Sequence, residues 1–291
     1  TTFGTNTEMY DLNGNLATVT DVGGTATYSW NARNQLTSIA SPGFAASFTY
    51  DSFGRRTGRT VQGVVTNYVY DGLNPVQEKN GSTVTANLLT GLGIDEFLTR
   101  TDGVGTRALL PDALGSTVAL GDGTGTLQTQ YTYEPFGYAT AAGQANSSSY
   151  KYTGREDDGT GLYYYRARYY HPRLQRFIAE DPIGFLGGGT DLYVYTWNQP
   201  TRFIDPSGNN PLGLAIGALN GGLSAASGAA AQGASGGQVL VSATVGAISG
   251  GAMGFFGLGF DPGSRVGIGV MSNLASQWLN NQLQNSGMAG T

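Results

Sequence analysis

An aromatic residue followed by Asp or Asn returns every 20 positions near the start of this chain. That period restricts the fold more than any other feature. Tyr10-Asp11, Trp30-Asn31, Tyr50-Asp51 and Tyr70-Asp71 mark it. A fixed period of this length signals a repeat architecture, in which each unit buries its apolar face only against its neighbours. Each unit reads as a β-hairpin. Alternating runs such as Ala26-Thr27-Tyr28-Ser29-Trp30 and Ser47-Phe48-Thr49-Tyr50 suit half-buried strands. The Asp or Asn after the aromatic, with Gly or Asn three residues on, supplies an Asx-type turn and a residue that tolerates positive φ. The competing reading is an ordinary β-sandwich with coincidental spacing. After residue 75 the period loosens. Leu109 to Thr117 and Tyr131 to Gly137 still read as strand-then-turn units, and Ala141 to Ser149 as an exposed loop.

Composition agrees with an all-β fold rich in turns. Charged residues make up 12 %, glycine accounts for 47 of 291 positions, and the 17 tyrosines outnumber the 15 lysines and arginines. A net charge of −5 argues against nucleic acid as a partner, because phosphate binding needs a basic surface. With no cysteine, disulfides, thiol catalysis and Cys-based metal sites are excluded. No metal-ligand cluster, Walker loop or dinucleotide fingerprint is present in the sequence, so no metal and no cofactor are expected. The chain starts at Thr1 without an initiator Met or a leader, and reads as a piece of something longer.

The stretch from Tyr150 to Gly208 carries the candidate chemistry. It holds two Asp-Pro-x-Gly sequences, Asp181-Pro182-Ile183-Gly184 and Asp205-Pro206-Ser207-Gly208. Two carboxylates that share one proton can hydrolyse a peptide bond. One acts as base on water and the other protonates or polarises the carbonyl. Asp181 and Asp205 are the natural pair, each at a rigid corner, with the 24-residue hairpin between them closing the gap. Arg176 is the candidate charge partner that orients a carboxylate, and Asp191 a weaker third acid. The plain alternative is that both sequences are only type I turns. Glu180, Asp181 and the run Glu156-Asp157-Asp158 read as solvated turn charges. His171, the single histidine, reads as structural.

The ordered series YD, LLPDALGST, YTYEPFG, YKYTGRE, GLYYYRARYYHP, RF and DPIG resembles the Rhs/YD-repeat family over residues 8 to 208. Tyr150 to Gly208 resembles its Rhs-associated core. The resemblance implies a mainly β chain whose stacked hairpins form part of a hollow β-shell closed by the core. It also implies that the shell encloses a C-terminal effector, usually a toxin, and that Asp181 and Asp205 match the aspartates of a self-cleaving protease. The implied setting is a bacterial protein, secreted or at the cell surface. One departure stands against cleavage. The last Asp-Pro-x-Gly is typically followed by Leu, whereas Gly208 is followed by Asn209-Asn210-Pro211-Leu212-Gly213, so the cut either shifts, as to a point after Leu212, or does not occur. A non-catalytic scaffold, adhesive protein or filament subunit built from the same repeats is the competing function.

From Asn209 onward the composition changes, and only Asp261 and Arg265 carry charge. Small residues recur every four positions from Gly213 to Gly237 and again from Gly246 to Gly254. That spacing reads as a Gly-rich helical hairpin of the glycine-zipper kind, with 212–260 touching a membrane or plugging the shell. A Gly/Ala linker is the remaining alternative. Val270, Met271, Leu274, Trp278 and Leu279 then trace an amphipathic helix. The expected domains are therefore 1–149, 150–208 and 209–291. An isolated piece of shell is expected to leave sheet edges open and to self-associate.

Overall fold

In the computed structural model, residues 7–91, 93–187 and 190–209 are described. The helical tail, its glycine zipper, its membrane contact and the cleavage-region residues Leu212 and Gly213 lie outside them. The chain divides into two compact units. One is 1–201 with 205–211; the other is 202–204 with 212–291, of which only Arg202, Phe203 and Ile204 are described.

The first unit is built on one long antiparallel sheet. Its first half comprises β1 (Thr7–Tyr10), β2 (Leu16–Asp21), β3 (Gly24–Trp30), β4 (Leu36–Ser41), β5 (Phe44–Tyr50), β6 (Arg56–Val61) and β7 (Val64–Asp71). The second half comprises β8 (Asn74–Asn80), β9 (Thr83–Thr90), β10 (Phe97–Asp102), β11 (Gly105–Pro111), β12 (Thr117–Gly121), β13 (Leu127–Tyr133) and β14 (Ala139–Gly143). All fourteen strands follow one another in sequence order, each bonded to the next. The meander therefore runs on through residues where the 20-residue spacing has already loosened. Strand and turn lengths vary there, but the hairpin logic does not.

The repeat has a local cause that can be followed atom by atom. Asp11 Oδ1 accepts the N–H groups of Asn13 and Asn15 at 2.9 Å each. Asn31, Asp51, Asp112 and Asp122 do the same to the residues two and four positions on. One carboxylate or amide oxygen thus closes a five-residue turn and satisfies two donors that the strands leave free. The residue three positions after the Asx must take positive φ. Gly54 has φ +85°, and Asn34 fills the same position at +56°. The preceding aromatic does a second job. Trp30 Nε1 donates to Leu16 O at 2.8 Å, Tyr50 Oη to Leu36 O at 2.7 Å and Tyr70 Oη to Arg56 O at 2.9 Å, always 14 residues back. A register shift falls at the aromatic in each of these strands. The fourth member, Tyr70-Asp71-Gly72-Leu73-Asn74, differs. Asp71 stays in β7 opposite Asn74. The chain turns tightly through Gly72 and Leu73 because its glycine falls right after the Asp instead of three positions on.

Strands alternate their burial, as in β5, where Ala46 and Phe48 are buried and their neighbours are not. The covered face meets a second, four-stranded sheet made of β15 (Glu156–Asp157), β16 (Tyr163–Tyr165), β17 (Arg168–His171) and β18 (Arg176–Phe177). Leu16, Leu36, Ile39 and Phe48 pack with Leu162, Tyr164, Tyr169 and Ile178 across this junction. A second cluster, lying under β9 to β13, is closed by Tyr150, whose ring centroid is 4.2 Å from that of Phe97. Tyr152, Tyr163, Tyr165, Tyr170, Phe177 and Tyr195 form a third, almost entirely aromatic cluster.

Two expectations fail here. Glu156-Asp157-Asp158 is not a solvated turn. Asp158 is buried between Arg56 and Arg59 of β6, and Glu156 lies 3.2 Å from Arg155, so these acids neutralise arginines buried with them. Ala141 to Ser149 is not one exposed loop either. Its first three residues belong to the edge strand β14, and Ser148 and Ser149 are buried where the chain enters the second sheet.

Candidate functional site

Asp181 sits where the backbone leaves β18. Its N–H donates to Leu192 O at 3.0 Å, its carbonyl accepts from Gly184 at 2.8 Å, and its Oδ1 accepts from Ile183 N–H at 3.0 Å. Asp205 is built the same way. Its Oδ1 accepts from Gly208 N–H at 2.9 Å, Asn209 N–H at 3.2 Å and Ser207 Oγ at 3.1 Å. Both are therefore turns, as the plain reading holds, yet in each only Oδ1 serves the turn.

The other oxygens converge. Arg168 Nη2 is 2.9 Å from Asp181 Oδ2 and 3.6 Å from Asp205 Oδ2, so two carboxyl groups share one nitrogen. The same guanidinium donates through Nε to Gly208 O and through Nη1 to Leu192 O at 2.9 Å, and it lies over the Phe177 ring at 3.7 Å. All three side chains are at least nine-tenths buried. The 181–205 span that brings the corners together is not a hairpin. It folds through two short 3-10 turns, Gly184–Gly187 and Thr196–Asn198.

Burial sets the electrostatics. Desolvation pushes the Asp205 carboxyl up to about 6, against the pull of Arg168 and the N–H donors that lower it. Asp181 is raised as well, again by desolvation first. Asp205 is the more deeply buried and the farther from Arg168, so the guanidinium offsets less of its desolvation. Its Oδ2 is buried without a hydrogen-bond partner among the described residues. Desolvation also lowers Arg168.

Arg176 lies elsewhere. Its guanidinium is 3.4 Å from Asp191 Oδ1 and 4.9 Å from the Tyr193 ring, so it reaches neither Asp181 nor Asp205. Arg168 occupies the place proposed for it. Arg168 precedes the Tyr169-Tyr170 pair in a short strand buried on both faces, where Arg168 and Tyr170 share one side. An arginine there faces inward with Tyr170, on the side of the aromatic cluster. An arginine set within a run of tyrosines was the available signal. His171 Nδ1 accepts from Leu174 N–H at 3.2 Å, and burial pushes its pKa down to about 4, which suits a turn-capping neutral imidazole. Among the described residues, no three or more His, Cys, Asp or Glu side chains cluster as metal ligands.

The second corner itself packs tightly against the core. Gly208 has φ +74°, and a Cβ there would stand 2.0 Å from Tyr165 O, so only glycine fits. A Cβ on Gly187 would meet Asp181 Oδ2 at 2.8 Å and Asn209 O at 2.9 Å. Gly187 thus leaves open a space that the Asp181 carboxyl and the Asn209 carbonyl both border.

A sheet of Asx-closed hairpins, with a buried aspartate pair at two turns beyond β18, defines a class, and several known proteins share parts of it. The family described as RHS Repeat matches residues 10–43. Toxin subunit YenC1 of Yersinia entomophaga is 39 % identical over 103 residues, 34 % of this chain and 10 % of that protein. Toxin protein Tse5 of Pseudomonas aeruginosa is 37 % identical over 98 residues, 33 % of this chain and 7 % of its own. The tRNA nuclease WapA of Bacillus subtilis is 37 % identical over 105 residues, 34 % of this chain and 4 % of its own. By these matches the chain carries an RHS repeat at residues 10–43 and is similar, over about a third of its length, to repeat-bearing toxin proteins. It spans a tenth or less of the length of those three relatives. The crystal structure of TcdB2-TccC3 shares the fold at a TM-score of 0.52 and 21 % identity, covering 70 % of this chain and 13 % of that one. The Photorhabdus luminescens Tc holotoxin pore gives 0.52 at 20 % identity, covering 71 % and 13 %.

Proposed function

We propose that this chain is the closing portion of a toxin-type YD-repeat shell, and that Asp181 and Asp205 cut it just after the second corner. Residues 1–149 form shell wall, 150–208 the associated core, and 209–291 the segment released or retained inside. The shell belongs to a bacterial protein exported from its cell, and its partner is its own C-terminal segment. The observation that carries the chemistry is one guanidinium holding two carboxyl groups and the Gly208 carbonyl together. Asp181, ion-paired and ionised, takes the proton from an attacking nucleophile. Asp205, which keeps its proton more readily, gives one to the leaving nitrogen. Arg168 holds both in register with the chain to be cut. Arg176 keeps Asp191 in place at the surface and takes no part.

The test is intact-mass analysis of the purified chain beside Asp181→Asn and Asp205→Asn. A break between Gly208 and Gly213 in the wild type, absent from both variants, is the expected result. A single uncut mass in all three would leave a scaffold with turns at both corners. That second reading draws on one observation, the full use of each Oδ1 in its own turn.

A further inference from the structure

A second cavity, lined by none of the aspartate-pair residues, opens on the covered face of the long sheet at the β10–β11 hairpin. We propose that it binds a small organic carboxylate, with Arg107 as the cation that holds it. The site holds whether or not the chain is cut.

Strand register sets the charges. Leu88, Arg100 and Arg107 form one row of cross-strand partners, and Leu88 and Arg100 are buried. Residues directly opposite share a face with Cβ atoms about 5 Å apart, where two like charges repel. Only one of the two arginines is answered. Arg100 Nη2 lies 2.7 Å from Glu78 Oε2, and its Nη1 lies 2.5 Å from Asp102 Oδ2 and 2.9 Å from Ser147 Oγ. Asp102 is fully engaged. Its Oδ2 also accepts from Ser147 Oγ at 2.9 Å, and its Oδ1 from Val104 N–H at 2.9 Å. Among the described residues, Arg107 makes no ion pair and no hydrogen bond.

The space beside Arg107 is preformed. The cavity measures about 260 Å³ and is walled on its far side by residues 145–148. That wall is tied down, because Asn146 Nδ2 donates to Tyr131 Oη at 2.8 Å and Asn146 Oδ1 accepts from Ser148 N–H at 3.0 Å. Ser148 in the same wall is nine-tenths buried, and its Oγ has no hydrogen-bond partner among the described residues. A buried hydroxyl left in this way marks a place where an atom from outside the chain completes the set. Val104, Leu120 and Ala145 line the rest, so a ligand meets a cation and an apolar wall together. Phosphate uses only the cation. A carboxylate with a short apolar body uses both, its oxygens on the Arg107 fork and its carbons against Val104 and Ala145. The volume, below that of drug-sized pockets, limits that body to a few carbons.

The test is thermal unfolding of the full chain against rising butyrate, acetate or phosphate, with chloride holding ionic strength constant. The wild-type midpoint should rise most with butyrate, since a ligand that binds only the folded state stabilises it. In Arg107→Gln the apparent butyrate affinity should fall about tenfold or more, the worth of one charge-assisted pair. Arg107 is unpaired among the described residues, so its replacement leaves the fold standing. Arg33→Gln, which removes an arginine between β3 and β4, should respond as the wild type does. Equal responses of wild type and Arg107→Gln overturn the site. An equal loss in Arg33→Gln reduces the effect to overall charge and overturns it as well. Phosphate as effective as butyrate overturns the carboxylate assignment.

Discussion

Asp205 is the residue whose setting says most. Its carboxyl is buried, rises to about 6 from an ordinary 3.8, and keeps one oxygen without a hydrogen-bond partner among the described residues. A carboxyl raised on folding binds its proton more tightly in the folded state than in the unfolded one. Between pH 3.8 and about 6 the folded chain therefore loses stability as pH rises, by up to about 3 kcal/mol from this group. Urea unfolding of wild type and Asp205→Asn across pH 4 to 7 checks it. The wild-type curve should fall more steeply over that window, and parallel curves would remove the burial argument. Cleavage by the same group should slow above pH 6 as the donor proton is lost.

At the scale of elements, the junction between the long sheet and the small one is an ionic clamp set in an apolar seam. Arg56 and Arg59 reach from β6 to Asp158, Arg155 and Arg166 both lie 2.6 Å from Asp95, and Arg56 stacks over Tyr164 at 4.2 Å. Removing one acid leaves buried cations uncompensated, which costs more than the pair itself contributes. Asp158→Ala should lose about 3–5 kcal/mol in urea unfolding. A loss below about 1 kcal/mol, the range of an exposed pair, would mean that water reaches the seam. The turn elements behave in the opposite way. Each Asx oxygen serves only its own five residues, so damage there stays local.

For the whole molecule, the strand order decides the next expectation. Among the described residues, β1 and β14 each have a neighbour on one side only, which leaves a strand edge open at each end of the sheet. Tyr10, at the end of β1, packs against Tyr193 at 5.6 Å and covers the first edge in part. β14 is exposed for most of its length. Light scattering of the isolated chain should show species larger than a monomer that grow with concentration. Monodisperse monomers would show that both edges are protected.

Much of this was open to a reader of the sequence alone, because the repeat is a local code. An Asx side chain, a positive-φ residue three positions on and an aromatic reaching 14 residues back are interactions within one or two hairpins, so period and residue type determine them. The Asp-Pro-x-Gly corners are local in the same sense. What only the tertiary structure decided are the contacts between distant segments. Arg168, not Arg176, meets both aspartates because β17 turns that side chain inward between two corners far along the chain. Asp158 is buried and not solvated because β6 brings two arginines to it across about a hundred residues. A charge has no address in sequence until packing removes its water, and then only another charge or a donor close by can hold it.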